Sequence, residues 1–167
     1  ACTGRLQGTE ARLTPLTREP PMSQQPALEV FCAFFNKLDT TYTNKLYEVY
    51  TENVVFTDPL HHVKGRDALE RYFHGLYKNV TACSFEFHDR IHQGHEACVT
   101  WTMRLVHPRL ARSRPISVEG CSRLSFAAED PRRVCRHRDF FDAGAMIYEH
   151  LPILGPTVRL MKRRLGE

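Results

Sequence analysis

The feature that most restricts how this chain can fold is a change of period at Asn79. Up to that point apolar residues recur every three or four positions; beyond it they recur every second position, in four long stretches. Phe85, Phe87 and Ile91 alternate with Glu86, His88 and Arg90. Val99, Trp101, Met103 and Leu105 alternate with Thr100, Thr102 and Arg104. Val118, Gly120, Ser122, Leu124 and Phe126 alternate with Glu119, Cys121, Arg123 and Ser125, and a fourth stretch runs from Arg133 to Asp142. Strand side chains point alternately to opposite faces, so this pattern predicts an antiparallel sheet with one apolar face and short polar turns.

The first half supplies what covers that face. From Pro26, Leu28, Phe31, Phe34, Phe35 and Leu38 keep helical spacing, and Asp39 to Thr43 breaks it. A second short helix, capped by Thr43, carries Leu46, Val49 and Tyr50 on one side. Val54, Val55 and Phe56 read as a strand that stops at Asp58-Pro59, because proline has no amide hydrogen and restricts its predecessor. Gly65-Arg66-Asp67 opens a third helix with Leu69, Tyr72, Phe73 and Leu76 as its buried stripe. Helices followed by strands define an α+β domain with the helices packed on one face of a strongly curved sheet. Gly155-Pro156 introduces a last helix bearing Val158, Met161 and Leu165.

Within the fourth strand the polar residues fall on the wrong side. Cys135, His137, Asp139 and Phe141 share one face; Val134, Arg136, Arg138, Phe140 and Asp142 share the other. Two arginines belong in water, which sends His137 and Asp139 inward. An imidazole and a carboxylate on a core-facing side are costly unless hydrogen-bonded or functional.

A chain of 167 residues, 42% hydrophobic and 25% charged, is the size of one domain with a real core, assigned to residues 23–167. Residues 1–22 hold three prolines, two glycines and no hydrophobic period, and read as a loosely attached or disordered arm, Met22 being a natural start. Neither a membrane span nor a signal-peptide pattern is visible, and six cysteines without a CxxC pair read as buried free thiols, so a cytoplasmic protein is expected. The +4 charge lacks the aromatic interleaving of a nucleic-acid surface. His61-His62 and His92/His95 lack the spacing and companions of a zinc site, and no phosphate loop or nucleophile elbow occurs, so neither a metal nor a cofactor is expected.

Three pieces, Tyr50 to Leu60, Gly65 to Leu69, and His137 to Asp142 with the apolar segment after it, resemble the SnoaL-like and nuclear transport factor two-like superfamily. Ketosteroid isomerases, limonene epoxide hydrolases and polyketide cyclases belong to it. The resemblance spans roughly residues 27 to 154 and implies a cone-shaped sheet around a pocket. Asp58 stands where the isomerases carry their general base, but Phe34 replaces their tyrosine donor and Ser122 their protonated acid. Those losses remove several kcal/mol of enolate stabilisation. Asp139 matches an aspartate of the epoxide hydrolases, whose arginine and second aspartate fall here at Trp101 and Met103, and whose tyrosine and asparagine fall at Phe56 and Asp58.

The resemblance to the cyclases leaves Asp58, Asp139 and His137 as acid/base candidates, in a pocket walled by Phe34, Phe56, Trp101, Met103, Ser122 and Phe141. A carboxylate enclosed by aromatic rings holds its proton more tightly, as proton transfer near neutral pH requires. The expected partner is an apolar small molecule, with a second copy of the chain pairing through the outer sheet face beside Thr102, Val106 and Cys121. Two functions follow: a cofactor-independent isomerase, cyclase or hydrolase, or a non-catalytic module that binds a ligand or dimerises.

Overall fold

The computed structural model describes residues 25–146 together with 160, 161, 163 and 164; the N-terminal arm and most of the expected last helix lie outside the described residues. Helix α1 (Gln25–Phe35) leads through a 3-10 turn (Thr43–Glu48) to β1 (Tyr50–Thr57), β2 (His62–Lys64) and α2 (Arg66–Lys78). Strands β3 (Ala82–Gln93), β4 (Glu96–Val106), β5 (Ile116–Phe126) and β6 (Val134–Phe141) follow, and then the short α3 (Ala143–Met146).

All six strands form one sheet in the order β2-β1-β6-β5-β4-β3. Every neighbouring pair is antiparallel except β1 and β6, which run parallel with Phe56 opposite His137. The expected antiparallel sheet therefore has one parallel seam, where the last strand inserts between the first and the fifth. The Phe56 and His137 rings meet edge to face across it, 5.0 Å between centroids.

Helix α1 forms as its spacing predicts: Leu28, Phe31, Phe34, Phe35 and Leu38 are all buried. Each such side chain removed from water contributes about 1.5–3 kcal/mol. Thr43 caps nothing; it is the first residue of the 3-10 turn and its hydroxyl reaches back to the Thr40 carbonyl. Tyr50, expected on a helix face, instead opens β1 and is fully buried. Gly65 starts α2 at φ +84°, ψ 144°, a conformation open essentially to glycine alone, with its N–H donating to the Val54 carbonyl at 2.8 Å. In α2 Leu69 and Phe73 are buried, whereas Leu76 is exposed at the cavity described below.

Alternation holds along β4 and β5 but is inverted once in β3. Phe87 pairs with Trp101 and Arg90 with Val99, so His88 and Asp89 together oppose Thr100 in a bulge. The extra residue turns Ile91 out to solvent and brings Arg90 to the helix side, where it pairs with Glu29 of α1 at 2.9 Å. A shift between Ser125 and Phe126 likewise buries Val134, which strict parity placed outside. The cysteines are less enclosed than expected: among the described ones Cys32 alone is buried, and Cys98 and Cys121 approach to 3.0 Å between sulfurs on the outer sheet face.

Candidate active site

Between α2 and the concave sheet face lies a cavity of about 490 Å³. Its walls are mostly apolar, with Phe56, Trp101, Met103 and Phe141 among them. Asp58 and Asp139 both line it. Phe34, Ser122 and His137 do not line it. Phe34 packs on α1 against Phe35 and Tyr42 in the core, while Ser122 and His137 stand behind Asp139.

Asp139 is held from behind by two donors on one oxygen. Its Oδ1 accepts from the Ser122 hydroxyl at 2.5 Å and lies 2.7 Å from His137 Nε2, while Trp101 Nε1 donates to Ser122 Oγ at 2.9 Å. His137 Nδ1 is 2.6 Å from the Tyr50 hydroxyl. Tyr50 has no other partner for its proton among the described residues, so it donates to Nδ1. The ring is then neutral, with its hydrogen on Nε2 pointing at Asp139. This chain (Tyr50 to His137 to Asp139) leaves Asp139 Oδ2 without a hydrogen bond among the described residues. Arg136 and Arg138 are exposed on the other face, Arg138 lying over the Phe140 ring.

Asp58 is bound differently. Its Oδ1 accepts the N–H groups of Leu60 and His61, both at 2.7 Å, closing the tight turn between β1 and β2. Its Oδ2 accepts from Tyr72. Three donors satisfy this carboxylate, so Asp58 fixes the turn and the Tyr72 phenol at the cavity wall. Sequence reasoning missed Tyr50 and placed Tyr72 only in a buried stripe. The signal for Tyr50 was its place in the Tyr50–Leu60 motif, the strand adjoining β6.

Burial, and secondarily the Asp139 charge, raises the Tyr50 phenol well above its ordinary 10.0, and burial is the largest cause at Tyr72 and Tyr77 as well. All three stay protonated donors over the neutral range. Unfolded, these phenols ionise near 10; folded, they do not, so the stability they contribute is complete below that value and is lost as pH rises. Burial also pushes the Cys83 thiol up to about 11 from 9.0, which starts the same loss near pH 9. Thermal unfolding followed from about pH 8 to about pH 11 should show a midpoint that falls from about pH 9 and more steeply past 10. In Cys83→Ala the first part of the fall should shrink.

Trp101 is the chain's one tryptophan. Its indole lies flat on Gly120, where an added Cβ would come within 2.2 Å of the ring. Gly120→Ala should therefore push the indole toward the cavity, break its bond to Ser122 and cost about 1–3 kcal/mol. The emission maximum of Trp101 and the thermal midpoint read both effects; an unchanged spectrum would contradict this packing.

Among the described residues no cluster of three or more His, Cys, Asp or Glu could hold a metal ion, and no helix is long and apolar enough to cross a membrane.

This curved α+β sheet with an acid-bearing cavity under it is the fold of SnoaL-like and nuclear transport factor two-like proteins. A family model for the SnoaL-like domain matches residues 30–137, and the chain belongs to that family. No curated protein sequence matches it. Among solved structures, a protein assigned as a SnoaL-like polyketide cyclase from Jannaschia sp. CCS1 superposes with a TM-score of 0.66 at 12% identity, covering 78% of this chain and 94% of that one. An LEH-like epoxide hydrolase from M. tuberculosis gives 0.61 at 16% identity over 83% and 98%. TerC, co-crystallised with polyporic acid, gives 0.61 at 14% over 74% and 94%. At such identities the likeness establishes the fold, and the chemistry must be argued from the site.

Proposed function

We propose that this cavity is an active site for proton transfer next to a carbonyl of an apolar, ring-containing small molecule, with Asp139 as the general base. The observation that carries this reading is that Asp139 lines an apolar cavity while Ser122 and His137 hold its Oδ1, its Oδ2 having no hydrogen bond among the described residues. Asp139 Oδ2 takes the α-hydrogen as a proton, the C–H electron pair becomes the enolate, and the same oxygen returns the proton to a carbon of that enolate. His137 and Ser122 keep the carboxylate aimed through both steps, and Tyr50 keeps His137 in the tautomer that donates to it. Asp58 and Tyr72 shape the wall beside the reacting carbon.

Phe34 has no hydrogen to donate and Ser122 spends its own on Asp139. The two-donor oxyanion site of steroid isomerases is therefore not reproduced, and the fitting substrates are carbon acids acidified by their own structure. That a fold neighbour was crystallised with an organic ligand supports a ligand-holding cavity here. The test is solvent-deuterium exchange into 2-tetralone, a ring ketone with acidified α-hydrogens, followed by mass spectrometry. Exchange above the buffer rate supports catalysis. Binding of 2-tetralone without exchange supports the non-catalytic alternative and sinks the enzymatic one.

A further inference from the structure

The lining of the cavity is unequal in charge from one end to the other. Asp58 follows the end of β1, whereas His107, Arg109 and Leu110, which line the same cavity, follow the end of β4. β6 and β5 lie between those strand ends in the sheet. Three inter-strand steps of about 4.8 Å separate the two lips across the sheet, and the register separates them further along it: Thr57 stands level with Arg138, Arg123 and Cys98, so Val106 at the end of β4 lies eight residues beyond, about 26 Å of extended strand less what curvature takes back. Arg109 is thus well removed from Asp58, and its guanidinium makes no ion pair or hydrogen bond among the described residues.

His107 adds a second donor on the same lip. Its Nδ1 accepts the Arg109 backbone N–H at 3.1 Å, which leaves the ring hydrogen on Nε2, an atom without a partner among the described residues. The loop carrying both is bonded to itself. Leu110 N–H donates to the His107 carbonyl at 3.1 Å, Ser113 N–H to that of Leu110 at 2.9 Å, and the Ser113 hydroxyl to that of Pro108 at 3.3 Å. Ala111, Arg112 and Ser113 hold φ of 48°, 55° and 60°, a left-handed run that side chains disfavour and that these bonds maintain. Two donors are thereby presented at one lip of a cavity whose neighbouring wall is Leu76, Val80 and Leu105.

We propose that this lip is an anion subsite and that the ligand is an amphipathic monoanion, an apolar body with a carboxylate at the Arg109 end. This rests on the reading of the cavity as a ligand site. The Arg109 fork matches a carboxylate, and His107 Nε2 supplies a further donor. Away from that lip the Asp58 and Asp139 carboxylates repel a like charge, so the same arrangement decides which way round the ligand lies. The anion stays at the lip and the uncharged end reaches Asp139.

Two probes of one shape, 4-cyclohexylbutanoate and 4-cyclohexylbutanamide, separate charge from burial when titrated against the emission of Trp101 in low-salt buffer. The carboxylate should bind about tenfold more tightly than the amide, a preference that added salt reduces. Arg109→Met, at an exposed position, should weaken the carboxylate to the level of the amide and leave the amide unchanged. Equal affinities in the wild type, or a preference that survives Arg109→Met, would overturn the anion subsite and leave a cavity for neutral ligands. Failure of both probes to bind would overturn the subsite and the ligand cavity together.

Discussion

Asp139→Asn is expected to slow solvent-deuterium exchange into 2-tetralone by about two to four orders of magnitude, the usual contribution of a positioned general base. The asparagine side chain keeps the shape of the carboxylate, and its carbonyl oxygen still accepts from Ser122 and His137, the bonds that hold Asp139 at 2.5 and 2.7 Å. Folding and affinity for the ketone should therefore stay close to wild type while proton abstraction is lost. The reverse pattern, a large fall in the thermal midpoint with exchange intact, would make Asp139 a structural residue of the sheet and end the enzymatic reading. Asp58→Asn divides the two acids further. With three donors already on it, Asp58 should matter to the β1–β2 turn and little to exchange.

His137→Ala should be among the most destabilising substitutions in the chain, at about 4 kcal/mol. The ring is 2% exposed and touches Phe31, Phe35 and Phe56 edge-on at 5.2, 5.8 and 5.0 Å between centroids. Removing it opens a void in a packed core, which costs about 2–5 kcal/mol for a large side chain. It also strands the Tyr50 hydroxyl, itself fully buried, at about 1–3 kcal/mol. For a domain of this size the thermal midpoint should drop by roughly 15 °C. The double variant Tyr50→Phe/His137→Ala isolates the second part: with no hydroxyl left to strand, its cost should fall short of the sum of the singles by about 1–2 kcal/mol. Strict additivity would mean that the Tyr50–His137 bond contributes nothing.

The inward placement of His137 and Asp139 was legible because β6 alternates regularly and two arginines mark its wet face. The buried stripe of α1 was legible for the same kind of reason, a period kept over several turns, while of the α2 stripe only Leu69 and Phe73 are buried. Parity failed where a strand carries an extra residue. The His88–Asp89 bulge sends Ile91 into solvent, and nothing in the local pattern announces it, since the bulge is defined by what stands opposite, Thr100. Tyr50 was misplaced on a helix because Leu46, Val49 and Tyr50 also fit helical spacing. Its true partner is 87 residues away, a separation no local reading reaches. Phe34 and Ser122 were assigned to the pocket by position in the family's motifs. The phenyl ring turned to the core and the serine became the bridge between Trp101 and Asp139.

The parallel seam between β1 and β6 has a consequence for how the molecule comes into being. The strand made last occupies the middle of the sheet, so until it docks the chain consists of two half-sheets, β1–β2 and β3–β4–β5, each with a bare edge able to pair with a stranger. Docking of β6 closes both edges in one event and in that event delivers His137 and Asp139 to Tyr50 and Ser122. An unfinished molecule therefore shows two strand edges that the finished one pairs, and the hydrogen-bonded cluster around Asp139 assembles only in the step that pairs them.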